Sequence, residues 1–138
     1  MALTARFLAD KSALARFPVP AVSRRLRPLM QDGLIATCAI VDLEVLYSSR
    51  NLSDYEDVLD ERRSLDSAAI TPEVLERAIE LQHELARRGQ HRLPIPDLVI
   101  SAAAQSAGLV VLHYDSDFER IGAAGGAGHQ WIVPKGSI

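Results

Sequence analysis

Acidic side chains stand at the ends of strongly apolar segments in this chain of 138 residues. Asp10 follows the apolar run ARFLA, Asp97 opens the run DLVISAAAQSA, and Asp115 follows LVVLHY. Such apolar segments fold without acids, so each aspartate has two interpretations. It is a cap or turn residue, a common position for aspartate, or it belongs to a metal site. Taken singly, each residue leaves both interpretations open.

Glu44 is less easily explained as a structural residue. If residues 39–49 form a helix, the neighbours of Glu44 on the same face are mostly apolar, among them Ile40 and Val41. A buried, ionised glutamate needs either a cation or a shifted pKa. The alternative is that Glu44 lies at the edge of this apolar stripe and reaches solvent or an arginine.

The segments between these acids alternate between predicted strands and predicted helices. We predict strands over 5–10, 34–37, 67–70, 109–114 and 131–133, and helices over 12–17, 23–31, 39–49, 53–64, 72–88 and 97–106. This alternation indicates an α/β fold in which a mainly parallel central sheet is flanked by helices. Residues 1–138 are expected to form a single domain.

Local motifs support several of the predicted helix starts. Residues 53–56, SDYE, match a capping box, and so do residues 116–119, SDFE. Thr71 followed by Pro72 is a typical helix start, and Asp97 is expected to cap the apolar helix that follows it.

Composition narrows the class of protein. The chain is 48% hydrophobic and 24% charged with a net charge of −3, which is typical of a globular protein. Its single cysteine, Cys38, favours a reducing compartment. No apolar run approaches the roughly 20 residues needed to cross a bilayer, and the charges of Asp10, Lys11 and Arg16 interrupt any signal peptide. We therefore expect a cytoplasmic protein with no membrane segment.

The positions of the acids predict a shared site. Ligands of parallel α/β sheets bind beyond the carboxyl ends of the strands, where Asp10 and Asp115 are expected. Together with Glu44 and Asp97 they make a set of four carboxylates, which repel one another in one pocket unless a cation neutralises them. Oxygen ligands select hard divalent cations, so Mg²⁺ or Mn²⁺ is expected, and no Cys/His spacing indicates zinc.

At these residues the chain resembles the PIN-domain family and, within it, the VapC-type toxins of bacterial toxin–antitoxin pairs. The matching pieces occur in order along nearly the whole chain: a first strand ending at Asp10 with Ser12 two positions on, Glu44 in AIVDLEVLY, Asp97 in PIPDLVISAAAQSAG, and Asp115 with Asp117 in VVLHYDSDFERI. One position departs from the family, which usually has Asp-Thr-Ser at the first motif, because this chain has Lys11 in the middle.

The resemblance implies an endoribonuclease that depends on Mg²⁺ or Mn²⁺, cuts structured RNA such as tRNA or rRNA, and thereby stops translation. It also implies a VapB-type antitoxin that blocks the site, and a homodimer. The catalytic acids would be Asp10, Glu44, Asp97 and Asp115. Of these, Asp10 and Asp97 are expected to be the main metal ligands, while Glu44 and Asp115 act directly or through water.

Other residues are candidates for supporting roles. Ser12 and Asp117 are expected to assist the ligands, with Asp117 the weaker candidate because it falls in the predicted capping box. The candidates for RNA contact are Arg24, Arg25, Arg27, Arg87, Arg88 and Arg92. The candidates for a partner surface are Leu46, Tyr47, Leu52 and Tyr55. The alternatives are solvated arginines that complement helix dipoles, and apolar residues that fill the protein's own core.

Two other functions fit part of the pattern. A Mg²⁺-dependent phosphatase would use Asp10 as its nucleophile, but Ser12 stands where a second aspartate is usual, and the remaining lysine is Lys135 near the end of the chain. A non-catalytic, receiver-like or protein-interaction module would use the acids as caps and hold a regulatory metal.

Overall fold

Five parallel strands form the centre of the structure, a computed structural model that describes residues 4–138. The strands are β1 (Phe7–Ala9), β2 (Ile35–Thr37), β3 (Asp66–Ser67), β4 (Val110–His113) and β5 (His129–Trp131). Their order across the sheet is β3-β2-β1-β4-β5, and every neighbouring pair is parallel. Because all strands point the same way, their carboxyl ends meet at one edge of the sheet.

Helices cover both faces of this sheet. They are α1 (Lys11–Leu14), α2 (Pro20–Gln31), α3 (Ala39–Tyr47), α4 (Leu52–Arg63), α5 (Pro72–Arg87), α6 (Ile95–Ala107) and α7 (Asp117–Ala123). The predicted α/β fold, with a parallel sheet between helices in a single domain, is confirmed. Within residues 4–138, no helix combines the length and the apolarity that crossing a membrane requires.

The alternation of side chains along the strands produces two apolar layers. Leu8 and Val111 lie on the face where α5 and α6 pack, whereas Ala9 and Leu112 lie on the face covered by α2. The helix α6 is central to the first layer, since every residue over 98–104 is buried. Because these strands and α6 are buried, they are rigid, and the side chains at their ends are held in fixed positions.

The starts of α4 and α5 show one wrong prediction and one confirmed prediction. The N-cap of α4 is Asn51, whose side chain accepts the N–H of Asp54 at 2.9 Å. The predicted capping box at 53–56 is therefore wrong, because an asparagine just upstream takes that role. Thr71 caps α5 as predicted, accepting the N–H of Val74 at 3.1 Å.

The predicted starts of α6 and α7 are also wrong in detail. The N-cap residue of α6 is Pro94, which places Asp97 inside the first turn rather than at the cap. At α7 the predicted capping box over 116–119 does not form, because Ser116 makes no side-chain cap bond. The carboxylate of Asp115 accepts the N–H of Asp117 at 2.9 Å instead. The carboxylate of Asp115 therefore binds the start of α7, whereas that of Asp97 makes no cap bond.

The two outer strands lie earlier in the chain than predicted. The strand β3 covers Asp66–Ser67 rather than 67–70, and β5 covers His129–Trp131 rather than 131–133. Ile132 and Val133 are buried nevertheless, against α2. Their apolar side chains therefore predicted burial correctly, but burial alone does not determine which residues pair in a sheet.

A buried ion pair joins α3 and α4 to the end of β2. Arg62 is 8% exposed, and its Nε donates to Oδ1 of Asp42 at 2.9 Å while its Nη2 donates to Oγ1 of Thr37 at 2.6 Å. The hydroxyl of Thr37 donates in turn to Oδ1 of Asp42 at 2.8 Å. These three side chains satisfy one another and tie both helices to the sheet.

The Arg62→Ala variant should therefore lose stability, because it leaves the Asp42 carboxylate without its cation. We expect a loss of about 3 kcal/mol in the free energy of unfolding, at the lower end of the range for broken buried pairs, because the Asp42 side chain is 24% exposed. Urea unfolding followed by circular dichroism measures it. The control is Arg63→Ala, exposed on the same helix, with an expected change within about 0.5 kcal/mol. Equal losses in the two variants would contradict this role of Arg62.

Candidate active site

Asp10 stands directly beyond the carboxyl end of β1. Its side chain caps the short helix α1, with Oδ2 accepting the N–H of Ser12 at 2.9 Å, and its own N–H donates to the carbonyl of Leu112 in β4 at 2.9 Å. Asp10 is 5% exposed. The backbone on both sides therefore fixes a nearly buried carboxylate at the edge of the sheet.

Asp97 reaches the same edge from α6. It lies in the first turn of that helix and is 7% exposed. A helix that precedes a parallel strand in a right-handed crossover begins at the carboxyl edge of the sheet, which explains its position. The buried residues 98–104 anchor the helix, so Asp97 has little freedom to turn towards solvent.

Asp115 and Asp117 form a turn after β4. Oδ1 of Asp115 accepts the N–H of Asp117 at 2.9 Å, and Oδ1 of Asp117 accepts a bond from Nη1 of Arg120 at 3.0 Å. Carboxylate oxygens of Asp97, Asp115 and Asp117 lie within 4.8 Å of one another. Oxygens bound to one Mg²⁺ ion at about 2.1 Å stand up to about 4.2 Å apart, so this trio is close to the spacing that a shared cation requires.

Glu44 lies on α3, close enough to Asp10 and Asp97 for the charges to act on one another. It is half-buried, and among residues 4–138 its Oε1 is the buried side-chain oxygen or nitrogen that has no hydrogen-bond partner. Such an atom is costly unless something outside the chain satisfies it. The predicted alternative of a solvated edge or an arginine partner is not what the structure shows for this oxygen.

The acids change one another's pKa. Burial raises the pKa of Asp97 to about 8, and the charges of Asp10, Asp115, Asp117 and Glu44 add to that rise. Burial also raises the pKa of Asp10, with Asp115 adding to it, and the pKa of Glu44, with Asp10 adding to it. The predicted acids thus lie in one electrostatic environment, although they come from distant parts of the chain.

Two residues contribute more to this cluster than the sequence indicated. Asp117, the weaker candidate in the sequence, is one of the three carboxylates that lie closest together. His113 is fully buried, and its Nδ1 accepts the N–H of Asp115 at 3.0 Å. Burial lowers the pKa of His113 to about 4, so the ring is neutral near pH 7. Because Nδ1 accepts a bond, the proton of the neutral ring is on Nε2, which faces Nδ1 of His129 at 2.9 Å. No motif in the sequence marks either contact.

Ser12 joins the segments that follow β1 and β4. Its Oγ accepts the N–H of Tyr114 at 2.9 Å, while its own N–H binds Asp10. Ser12 therefore connects the loops that carry Asp10 and Asp115, which agrees with a supporting position next to the acids.

The candidate arginines have different surroundings. Arg25 donates to the carbonyls of Trp131 and Ile132 at 2.6 and 2.9 Å and to Gln130 at 2.7 Å, so its guanidinium holds the end of β5. The other candidates keep their charges at the surface: Arg24, Arg27, Arg87, Arg88 and Arg92 are exposed, with Arg87 and Arg88 within 4.0 Å of Glu84.

The candidate partner residues divide in the same way. Tyr47 is 89% exposed, Leu52 is 72% exposed and Tyr55 is 38% exposed. Leu46 is only 6% exposed and belongs to the core, because consecutive residues of a helix point in directions about 100° apart. Three of the four candidates are therefore exposed, and Leu46 is excluded from the predicted surface.

The raised pKa of Asp97 predicts that the metal-free protein loses stability as pH rises. The folded chain keeps a proton up to about pH 8 that the unfolded chain releases near the ordinary value of 3.8. The free energy of unfolding should therefore be highest at the acid end of this window and fall by a few kcal/mol towards about pH 8. Urea unfolding in EDTA at several pH values measures this fall.

Asp97→Asn should flatten that pH dependence, because an amide has no proton to release. Asp57→Asn, an exposed position on α4, is the matched control and should retain the slope of the unmodified protein. A metal-free protein whose stability stays level across this window would show that Asp97 ionises in the fold without cost.

Comparison with known proteins agrees with this arrangement. The sequence matches the family described as PIN domain over residues 11–124. It is similar to ribonuclease VapC21 of Mycobacterium tuberculosis, with 44% identity over 137 residues, 98% of this chain and 99% of the relative. It is also similar to ribonuclease VapC51 of that species, with 43% identity over 133 residues, 96% of this chain and 97% of the relative.

A solved structure shows the same fold. The crystal structure of VapBC2 from Rickettsia felis bound to a DNA fragment from their promoter contains a chain that matches with a TM-score of 0.72 and 19% identity, covering 91% of this chain and 97% of that one. The family match spans Glu44, Asp97 and Asp115, and the relatives align over almost their full length. This chain therefore belongs to the PIN-domain family and, within it, to the VapC group.

Proposed function

We propose that this chain is a Mg²⁺- or Mn²⁺-dependent endoribonuclease, the toxin of a VapBC-type toxin–antitoxin pair. The carrying observation is the trio Asp97, Asp115 and Asp117, whose oxygens lie within 4.8 Å of one another at the carboxyl edge of the sheet. The names of the relatives, ribonuclease VapC21 and ribonuclease VapC51, support RNA as the substrate. We further propose that residues 1–138 act as one ribonuclease domain in the cytoplasm and cut tRNA or rRNA, inhibiting translation.

The acids fit a divalent cation because the described chain does not neutralise them. Among residues 4–138, no lysine, arginine or histidine nitrogen lies within 4.0 Å of a carboxylate oxygen of Asp10, Glu44, Asp97 or Asp115. The unpartnered Oε1 of Glu44 adds to this deficit of positive charge. Oxygen-only ligands favour Mg²⁺ or Mn²⁺ over softer metals.

In the proposed mechanism each acid has a separate task. Asp10 and Asp97 are the main metal ligands, Asp115 and Glu44 act directly or through water, and Asp117 orients water beside them. When bound, the ion lowers the pKa of a water molecule and offsets the negative charge that develops on the phosphate. The backbone bonds to Asp10 and Asp115 keep these oxygens in place before RNA arrives, so little reorganisation is needed.

The two rival functions have weaker support. A phosphatase of this kind needs a lysine on a later strand, whereas Lys135 lies after β5 and its Nζ donates to Oε1 of Glu119 at 2.9 Å. A non-catalytic module with the acids as caps would not place Asp97 inside the first turn of α6, where it caps nothing.

We also propose a VapB-type antitoxin and a second copy of the chain as partners. The exposed apolar side chains of Tyr47, Leu52 and Tyr55 on α3 and α4 are suited to an antitoxin segment. The solved structure with the same fold is named VapBC2, which supports an antitoxin as a partner.

Asp97→Asn and Asp115→Asn should each reduce RNA cleavage by at least about 100-fold, because each removes a charge from the proposed ion's surroundings. The measurement is mapping of new 5′ ends in total RNA after incubation with purified protein and Mn²⁺. Asp57→Asn should stay within about twofold of the unmodified protein. EDTA should abolish cleavage, and a phosphomonoester should remain intact throughout. Undiminished cleavage by either site variant, or hydrolysis of the phosphomonoester alone, would refute the proposal.

Arg92 should contribute to RNA affinity through phosphate contact. It is exposed in the loop before α6, and among residues 4–138 it forms no ion pair. In the Asp97→Asn background, Arg92→Ala should lower the slope of log affinity against log salt by about 0.7 to 0.9. Arg63→Ala, outside both candidate groups, is the control. An unchanged slope would remove Arg92 from the RNA surface.

A further inference from the structure

Lys11 places a positive charge next to the acidic cluster, and a side-chain hydrogen bond holds it there. It is the first residue of α1 and follows Asp10 directly. Its Nζ donates to Oγ of Ser48, the residue that ends α3, at 2.8 Å. Ser48 lies four positions after Glu44, so the two side chains share one face of that helix. The ammonium therefore stands one helical turn from Glu44.

The ammonium and Glu44 complement each other without forming an ion pair. A lysine has three donors, and Ser48 uses one of them. Glu44 presents a buried oxygen with no partner, and the positive charge of Lys11 lowers the pKa of Glu44, against the larger effect of burial. Lys11 thus acts on Glu44 through its charge and not by occupying the oxygen.

The other acids of the cluster have different charged neighbours. Asp97, Asp115 and Asp117 have carboxylate oxygens within 4.8 Å of one another. Among residues 4–138, no lysine nitrogen lies within 4.0 Å of these carboxylates, and Arg120 pairs with Asp117. The site therefore has two halves: a trio of carboxylates that needs a cation, and a Glu44 half that already has one nearby.

We propose that Lys11 is a built-in cation of this site, so that the cluster binds one divalent ion among the aspartates around Asp97 and excludes a second ion from the Glu44 half. Two cations held close together repel, and a permanent ammonium at this position disfavours a divalent ion beside Glu44. A threonine, which the first motif usually has at this position, has neither the charge nor the length to do this. This inference rests on the proposed metal-dependent function.

The test is a count of bound Mn²⁺ by electron paramagnetic resonance of the free ion, which requires no catalysis. The unmodified protein should bind one ion per chain. Lys11→Thr and Lys11→Met should bind two, with the second at least about tenfold tighter than any second ion on the unmodified protein. Adding Glu44→Gln to Lys11→Met should return the count to one, because that change removes the Glu44 carboxylate that would hold the second ion.

Two controls separate charge from folding. Lys11→Arg keeps the charge and should bind one ion, and Lys135→Met removes an exposed lysine that contacts Glu119 and should also bind one. Thermal unfolding in EDTA establishes that each variant folds. A second ion on the unmodified protein, or a single ion on both uncharged Lys11 variants, overturns this inference and leaves the proposed function standing. No bound ion on any variant overturns the proposed metal dependence, and this inference with it.

Discussion

The burial of carboxylates at one edge of the sheet is the constraint on which the site depends. Asp10 and Asp97 are 5% and 7% exposed, and the pKa of Asp97 rises to about 8. Ionised carboxylates avoid such positions unless they are paired or bind a cation. A fold that concentrates carboxylates there is less stable without a metal ion, and a divalent ion that binds only the folded chain would stabilise it.

Two acids on one helix have different surroundings. Asp42 and Glu44 both lie on α3. Asp42 receives bonds from Arg62 and Thr37, so its charge is compensated within the fold. Glu44 has a buried oxygen with no partner. The chain is able to pair an acid on this helix directly, and at Glu44 it places only the charge of Lys11 nearby.

The scaffold holds the acids mainly through the backbone. Amide groups bind Asp10 and Asp115, and the ring of His113 holds the amide of Asp115 in turn. The buried body of α6 positions Asp97. Bonds of this kind do not depend on the side chains at the border of the site, so those residues can depart from the usual pattern while the acids keep their positions. Lys11 is such a difference, and it changes the charge next to the acids while the backbone that carries them stays the same.

The sequence by itself determined the α/β class, most of the helices and strands, and the candidate acids, because apolar periodicity and residue type are local properties. The grouping of Asp10, Glu44, Asp97 and Asp115 was predicted from their positions at the ends of elements and on an apolar helix face, and a family resemblance supported it. Only the tertiary structure decided that Asp117 lies beside Asp97 and that Arg25 binds the carbonyls after β5. It also decided that Lys11 reaches Ser48. Contacts of this kind join residues far apart in the chain, and the packing of α6 and the strands sets their distances, which no local pattern encodes.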